Sequence, residues 1–327
     1  MNIASAFLMG TKIKEIDVPD ESWTKMTTLP NTSGEAVQKS GIAYNGSIYM
    51  TYGSVNVPRY ETVNFTVYKF NGKTWSEVVT LTSGSSEYTN WQFNKGSMLF
   101  FTYAGKLYMT HAHFGDYGLG GPKMGWVFDG STWQTWNVPV SNLSQVIEKN
   151  GKLYLFETGR RGAWNVSYWW NVYEYNDSDG SATLVAQNVC DYIIGGLQDG
   201  VRRLHWYENK IHVIDGQYHH VIEDDWTYSS LSRPNNDPTS SIVYKNKLHA
   251  FSKGGAWPPF DWNHIVYNSV SDTWQEAENI PYPNSIVGYS GYSDTFPIIY
   301  KNKLWLLGGE QTNAYNSAFD DIYRYNK

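Results

Sequence analysis

Tyr44-Asn45-Gly46-Ser47-Ile48-Tyr49-Met50 holds the phrase that decides the fold: apolar residues, a two-residue turn, then alternating apolar residues. It returns as Tyr103-Ala104-Gly105-Lys106-Leu107-Tyr108-Met109 and Lys149-Asn150-Gly151-Lys152-Leu153-Tyr154-Leu155. Three further copies are Tyr207-Glu208-Asn209-Lys210-Ile211-His212-Val213, Tyr244-Lys245-Asn246-Lys247-Leu248-His249-Ala250 and Tyr300-Lys301-Asn302-Lys303-Leu304-Trp305-Leu306. The second turn residue is always Gly or Asn. Those residue types tolerate positive φ, which the tight turns that match strand twist require, so each copy predicts a β-hairpin. Successive turns lie about 51 residues apart on average, the length of a four-stranded radial blade.

A second phrase interleaves with the first and supplies the rest of each unit. It is an aromatic strand, a turn and a Trp: Tyr68-Lys69-Phe70-Asn71-Gly72-Lys73-Thr74-Trp75, Val127-Phe128-Asp129-Gly130-Ser131-Thr132-Trp133, and Val266-Tyr267 through Asp272-Thr273-Trp274. A looser copy ends at Trp226, and the third unit has Val172-Tyr173-Glu174-Tyr175 and Asp179-Gly180 with no Trp after them. Each unit therefore reads as strands a, b, c and d, with a Trp near the start of d. The last unit stops at strand c, Asp321-Ile322-Tyr323-Arg324-Tyr325, while Pro19-Asp20-Glu21-Ser22-Trp23-Thr24-Lys25-Met26 reads as a strand d with nothing before it. An open sheet edge invites aggregation. The sequence therefore predicts an all-β, six-bladed propeller of four-stranded antiparallel blades, closed by residues of about 18–30 pairing into the last blade, with Trp23 beside Tyr323.

These repeats resemble the kelch-repeat family of β-propellers. The family pattern of paired glycines after strand b, Tyr in strand c and Trp in strand d survives in Gly254-Gly255 and Gly308-Gly309, with single glycines at Gly53, Gly159 and Gly216. The resemblance implies one kelch-like propeller over residues 13–327, behind an arm at residues 1–12. It does not imply one activity, since kelch-like propellers include binding scaffolds, a sialic-acid mutarotase and a copper oxidase.

Composition narrows the partners. Across 327 residues, 25 Lys and Arg face 31 Asp and Glu, a net charge of -6. Nucleic acid and anionic membranes both call for a basic face, so neither is an expected partner. No stretch has the length of a membrane span. Met1-Asn2-Ile3-Ala4-Ser5-Ala6-Phe7-Leu8-Met9-Gly10 lacks the basic region of a secretion signal, so cytoplasmic synthesis is expected. The one cysteine, Cys190, cannot form an internal disulfide and has no motif for a copper radical site. No HExxH, Walker loop, GxSxG or CxxC occurs, and no cofactor is expected.

In such a meander the a–b and c–d turns share one face, and the b–c and d–a connections share the other. The first set is clipped; the second is long, and binding residues concentrate on long loops held by rigid scaffolds. The aromatic side chains there suit sugars or a protein surface. The candidate ligand-binding residues are Trp91, Tyr117, Arg160, Arg161, Trp164, Trp257, Trp262 and Tyr292. Arg160 and Arg161 bring bidentate donors for a carboxylate or phosphate. His111-Ala112-His113 with Asp116 is a weaker candidate divalent-metal set, since two imidazoles share a side of an extended backbone. His219-His220 point to opposite faces of a strand.

Three readings follow. The first is a non-catalytic binding module whose long-loop face contacts a glycan or a protein. The second is a structural or receptor-facing component of a phage tail or virion, docked through the arm at residues 1–12. The third is a mutarotase-like or glycosidase-like enzyme with Glu157 and Arg160 or Arg161 at the central mouth.

Overall fold

The computed structural model describes residues 23–28, 39–52, 54–56, 64–82, 92–94, 98–111, 124–161, 167–189, 204–215, 218–234, 238, 240–253, 262–277, 296–310 and 318–326. These form six four-stranded antiparallel sheets, with no helix among them. Blade 1 is Lys39–Tyr44, Ser47–Tyr52, Asn64–Phe70 and Trp75–Thr82; blade 2 is Met98–Tyr103, Lys106–His111, Met124–Phe128 and Trp133–Asn137. Blade 3 is Leu143–Lys149, Lys152–Arg161, Ser167–Asn176 and Ser181–Val189; blade 4 is Leu204–Tyr207, Lys210–Asp215, Tyr218–Ile222 and Tyr228–Ser230. Blade 5 is Ser240–Tyr244, Lys247–Lys253, Trp262–Asn268 and Thr273–Glu276. Blade 6 takes Phe296–Tyr300, Lys303–Glu310 and Ala318–Tyr325 from the end of the chain and its outer strand, Trp23–Thr28, from the beginning. The a strands touch their neighbours all the way round, blade 6 meeting blade 1, so the ring is closed.

The hairpins form as the repeat predicts. Both residues of all six a–b turns have positive φ, including Ala104, Glu208, Lys245 and Lys301, which are not natural left-handed residues. Strand twist sets this geometry, and the Gly or Asn at the second position makes it accessible. The c–d turns use a side chain instead. Asn71 Oδ1 accepts the Lys73 and Thr74 amides, each at 2.9 Å, and Asp129 Oδ1 accepts those of Ser131 and Thr132 at 2.7 and 2.8 Å. The amides of Thr132 and Ser131 hold the Asp129 carboxyl well below the usual carboxylate range.

The outer-strand Trp closes the back of its blade. Trp75 stacks on Phe70 at 4.9 Å and Trp133 on Phe128 at 5.0 Å, and Trp274 packs against Tyr267 at 5.3 Å. Trp226 departs from the expectation: it sits inside the turn with a φ of 66°, ahead of its strand d, which begins at Tyr228. There it is committed to the neighbouring blade, edge-on to Tyr154 and Phe156. The Gly308-Gly309 pair and Gly159 lie within b strands rather than after them. A side chain at Gly159 would overlap the Trp169 indole, which explains the glycine there.

The residue that opens the hairpin phrase also joins the blades. Tyr44 Oη donates to Gly105 O at 2.8 Å, Tyr103 Oη to Gly151 O at 3.4 Å, Tyr244 Oη to Asn302 O at 3.3 Å, and Tyr300 Oη to Gly46 O at 3.0 Å. Each tyrosine thus reaches the next blade's turn carbonyl, and the Tyr300 bond joins last blade to first. Lys149 replaces the tyrosine between blades 3 and 4. Its buried ammonium lies over the rings of Trp206 and Trp226, at 5.4 and 5.1 Å, and pairs with Asp224 at 2.5 Å. Lys149→Ala should cost about 2–3 kcal/mol, since a desolvated cation–π contact and a long buried stem are lost together. Lys149→Tyr, which copies the other seams, should recover most of it, with urea melts of the two variants as the measurement.

Candidate functional site

All six two-residue a–b turns lie on one face together with the c–d turns, none of which exceeds five residues, and the b–c and d–a connections leave from the other. The latter include 112–123, 162–166, 190–203, 254–261 and 277–295. On that side Ser54–Asn56 and Gln92–Asn94 form a small two-stranded sheet, tying the b–c connection of blade 1 to the approach to blade 2.

Of the sequence candidates, Trp91, Tyr117, Trp164, Trp257, Tyr292, His113 and Asp116 lie outside the described residues. Four are placed by their backbone. Arg160 and Arg161 end strand b of blade 3, opposite Tyr168 and Ser167. Trp262 opens strand c of blade 5 opposite Lys253, and His111 ends strand b of blade 2 opposite Met98. All four stand where strands run into the long-connection face. Cys190 and the arm at residues 1–12 lie outside the described residues.

Glu157 does not line the cavity between the a strands. Its carboxylate accepts the Ser141 amide at 3.2 Å, the Asn171 amide side chain at 3.3 Å and the Tyr173 hydroxyl at 2.9 Å. It faces the seam between blades 2 and 3, where it pins the short link from strand d of blade 2 into strand a of blade 3. Burial and then the bond to Glu157 push the Tyr173 phenol up to about 12. These three donors give the Glu157 carboxylate a structural task at the seam.

The a strands surround a central cavity of about 350 Å³. Its wall can be read from the repeat. Two positions before the turn-opening residue stand Ile42, Phe101, Ile147, His205, Ile242 and Ile298; one position before it stand Ala43, Thr102, Glu148, Trp206, Val243 and Ile299. Apart from Thr102 on blade 2, the polar residues of the wall lie along blades 3 to 5. There Glu148 is exposed, and His205 Nε2 lies 2.7 Å from Ser241 Oγ across the boundary of blades 4 and 5. The sequence reading, directed at the loops, missed His205. Setting the six a strands in register would have found it, as the one imidazole among four Ile and one Phe.

The other buried histidines pair away from the cavity. His212 Nδ1 lies 2.9 Å from His219 Nε2, and His249 Nδ1 lies 2.7 Å from His264 Nε2, at equivalent places in blades 4 and 5. His219 and His220 do face opposite ways, His220 Nδ1 lying 3.1 Å from Ser230 Oγ. Burial drives the imidazoles of His212 and His249 down to about 4; burial and then the neighbouring His212 take His219 down to about 3. Among the described residues no group of three or more His, Cys, Asp or Glu converges.

No known family profile and no curated protein matches the chain. Solved structures do. A protein of unknown function from Dyadobacter fermentans superposes with a TM-score of 0.59 at 10% identity, over 94% of this chain and 99% of that one. The structure of YjhT gives 0.51 at 10% identity, over 90% and 96%. A family 117 glycoside hydrolase produced by the marine bacterium Zobellia galactanivorans gives 0.42 at 13%, over 93% and 89%. At these identities the first two likenesses concern the fold alone, and the third supports no inference about this chain.

Proposed function

We propose that this protein is a kelch-like binding module, a rigid six-bladed disc that recognises a glycan or a protein through its long-connection face without chemical turnover. The observation that carries the reading is the division between the faces. One is built of two-residue turns locked at positive φ. The other receives the long connections and, in their sequence, Trp91, Tyr117, Trp164, Trp257 and Tyr292. Aromatic side chains supply large contact area at low entropic cost, which suits them to anchor a partner. Arg160 and Arg161, ending strand b of blade 3 beside this face, would add bidentate donors for a carboxylate.

The test is a glycan array and a pulldown with Trp164→Ala and Trp257→Ala. Removal of a central aromatic anchor should weaken binding by about 2 kcal/mol, roughly thirtyfold. Val270→Ser serves as control, because Val270 is 97% exposed in a c–d turn on the opposite face. Undiminished binding by both Trp variants, or an equal loss in the control, would refute the assignment of the face.

A further inference from the structure

We propose that the central channel is itself a binding site, for a small, largely apolar organic molecule with a single hydroxyl-type head group seated on Ser241. The proposal goes beyond recognition at the loop face and does not depend on it.

The first support is the make-up of the wall. Ile42, Ile147, Ile242 and Ile298 occupy equivalent places in four blades, with Phe101 in a fifth. Closing the ring at this level therefore needs only an apolar side chain. His205 is 7% exposed and stands where an isoleucine serves elsewhere, so its imidazole is desolvated at a place where the fold asks for no polar group. The hydrogen bond to Ser241 offsets part of that cost.

The second support is the remaining capacity of the serine. Whichever ring nitrogen carries the proton, the Ser241 hydroxyl keeps a bond to give. If it donates to His205 Nε2, its lone pairs can accept from a ligand hydroxyl; if Nε2–H donates to it, its own proton can go to a ligand oxygen. His205 thus fixes the serine, which is 3% exposed and lines a cavity whose remaining wall is apolar apart from Thr102 and Glu148. Convergence of a few polar groups in an otherwise apolar pocket of roughly 300 Å³ or more is the usual form of a small-molecule site. The volume of about 350 Å³ accommodates a bicyclic ring system. Ile299, on blade 6 next to the blade that carries Ser241, also lines the cavity and remains 38% exposed, so space lies in front of it.

The experiment compares naphthalene with 2-naphthol, nearly the same shape with and without a hydroxyl, by saturation-transfer NMR and titration. Wild type should bind both and prefer 2-naphthol by roughly tenfold. Ser241→Ala, which removes one oxygen, should keep naphthalene affinity and lose the preference. His205→Ile, which copies the other blades, should do the same while melting no lower than wild type. Ile299→Trp should abolish binding of both by filling the channel, with Ile299→Phe as the smaller substitution should the first not fold. Failure of wild type to bind either probe would overturn the proposal. So would a preference that survives Ser241→Ala, or unchanged binding of both probes in the filled channel.

Discussion

Deletion of residues 1–30 is expected to open the ring, lowering the melting temperature by roughly 10 °C or more and causing self-association. The strand at Trp23–Thr28 is the outer strand of blade 6, and it pairs with Ala318–Tyr325 from the far end of the chain, Trp23 opposite Tyr325 and Lys25 opposite Tyr323. Asn326 Nδ2 donates to Thr24 Oγ1 at 2.9 Å, which extends the join by one residue. Trp23 is 6% exposed, 4.8 Å from the Tyr325 ring and edge-on to Phe251 and His264, so it binds blade 6 to blade 5 as well as chain start to chain end. Removal of a buried Trp side chain costs about 3–5 kcal/mol, a large share of a typical total of about 5–15. Trp23→Ala alone should therefore cost several degrees. The deletion adds the loss of a ladder and leaves strand c as an open edge, a template for pairing with another molecule. Scanning calorimetry and light scattering would measure the two effects. An unaltered melting temperature in the deletion would show that the ring does not depend on this closure.

The parts of the fold that the sequence made legible are those enforced by backbone geometry. The six hairpins could be read because two consecutive positive-φ positions leave a residue signature, Asn or Gly at the second, even where Ala104 or Lys301 stands at the first. Closure could be read because an unfinished blade at one end and a lone strand at the other have no other economical solution. What eluded reading depended on neighbours. Trp226 comes one residue earlier than the Trp of the regular copies and so falls in the turn, where the ammonium of Lys149, one blade away, lies over its ring. Glu157 stands near two arginines in sequence, but alternation along strand b turns it toward Tyr173 and Asn171. His205 is ordinary within its own strand; only comparison across six strands singles it out. The connections carrying most of the aromatic candidates have no periodicity from which their conformation follows.

Acidification should destabilise the protein well before its carboxylates titrate, and the histidine pairs of blades 4 and 5 are the cause. His212, His219 and His249 are buried and neutral when folded, taking up protons only at about 4, 3 and 4, whereas an unfolded chain protonates its histidines near 6.5. Above that value neither state is charged and stability is indifferent to these groups. As pH falls from 6.5 toward 4, the unfolded chain binds more protons than the folded one, so the free energy of unfolding falls with pH. The stability present above 6.5 is lost progressively through that window. Each tenfold difference in proton affinity between the two states is worth about 1.4 kcal/mol per group, and paired imidazoles do not act independently, so the loss by pH 4.5 should be on the order of 5 kcal/mol. Blade 1 shows how to remove part of it. At the places of His212 and His219 it has Tyr49 and Val67, both buried in one apolar cluster. The double variant His212→Tyr with His219→Val should therefore lose less stability than wild type between pH 7 and 4.5, by roughly half, whatever its stability at pH 7. Urea melts at both pH values measure that difference. An equal pH-dependent loss in variant and wild type would place the acid sensitivity elsewhere in the molecule.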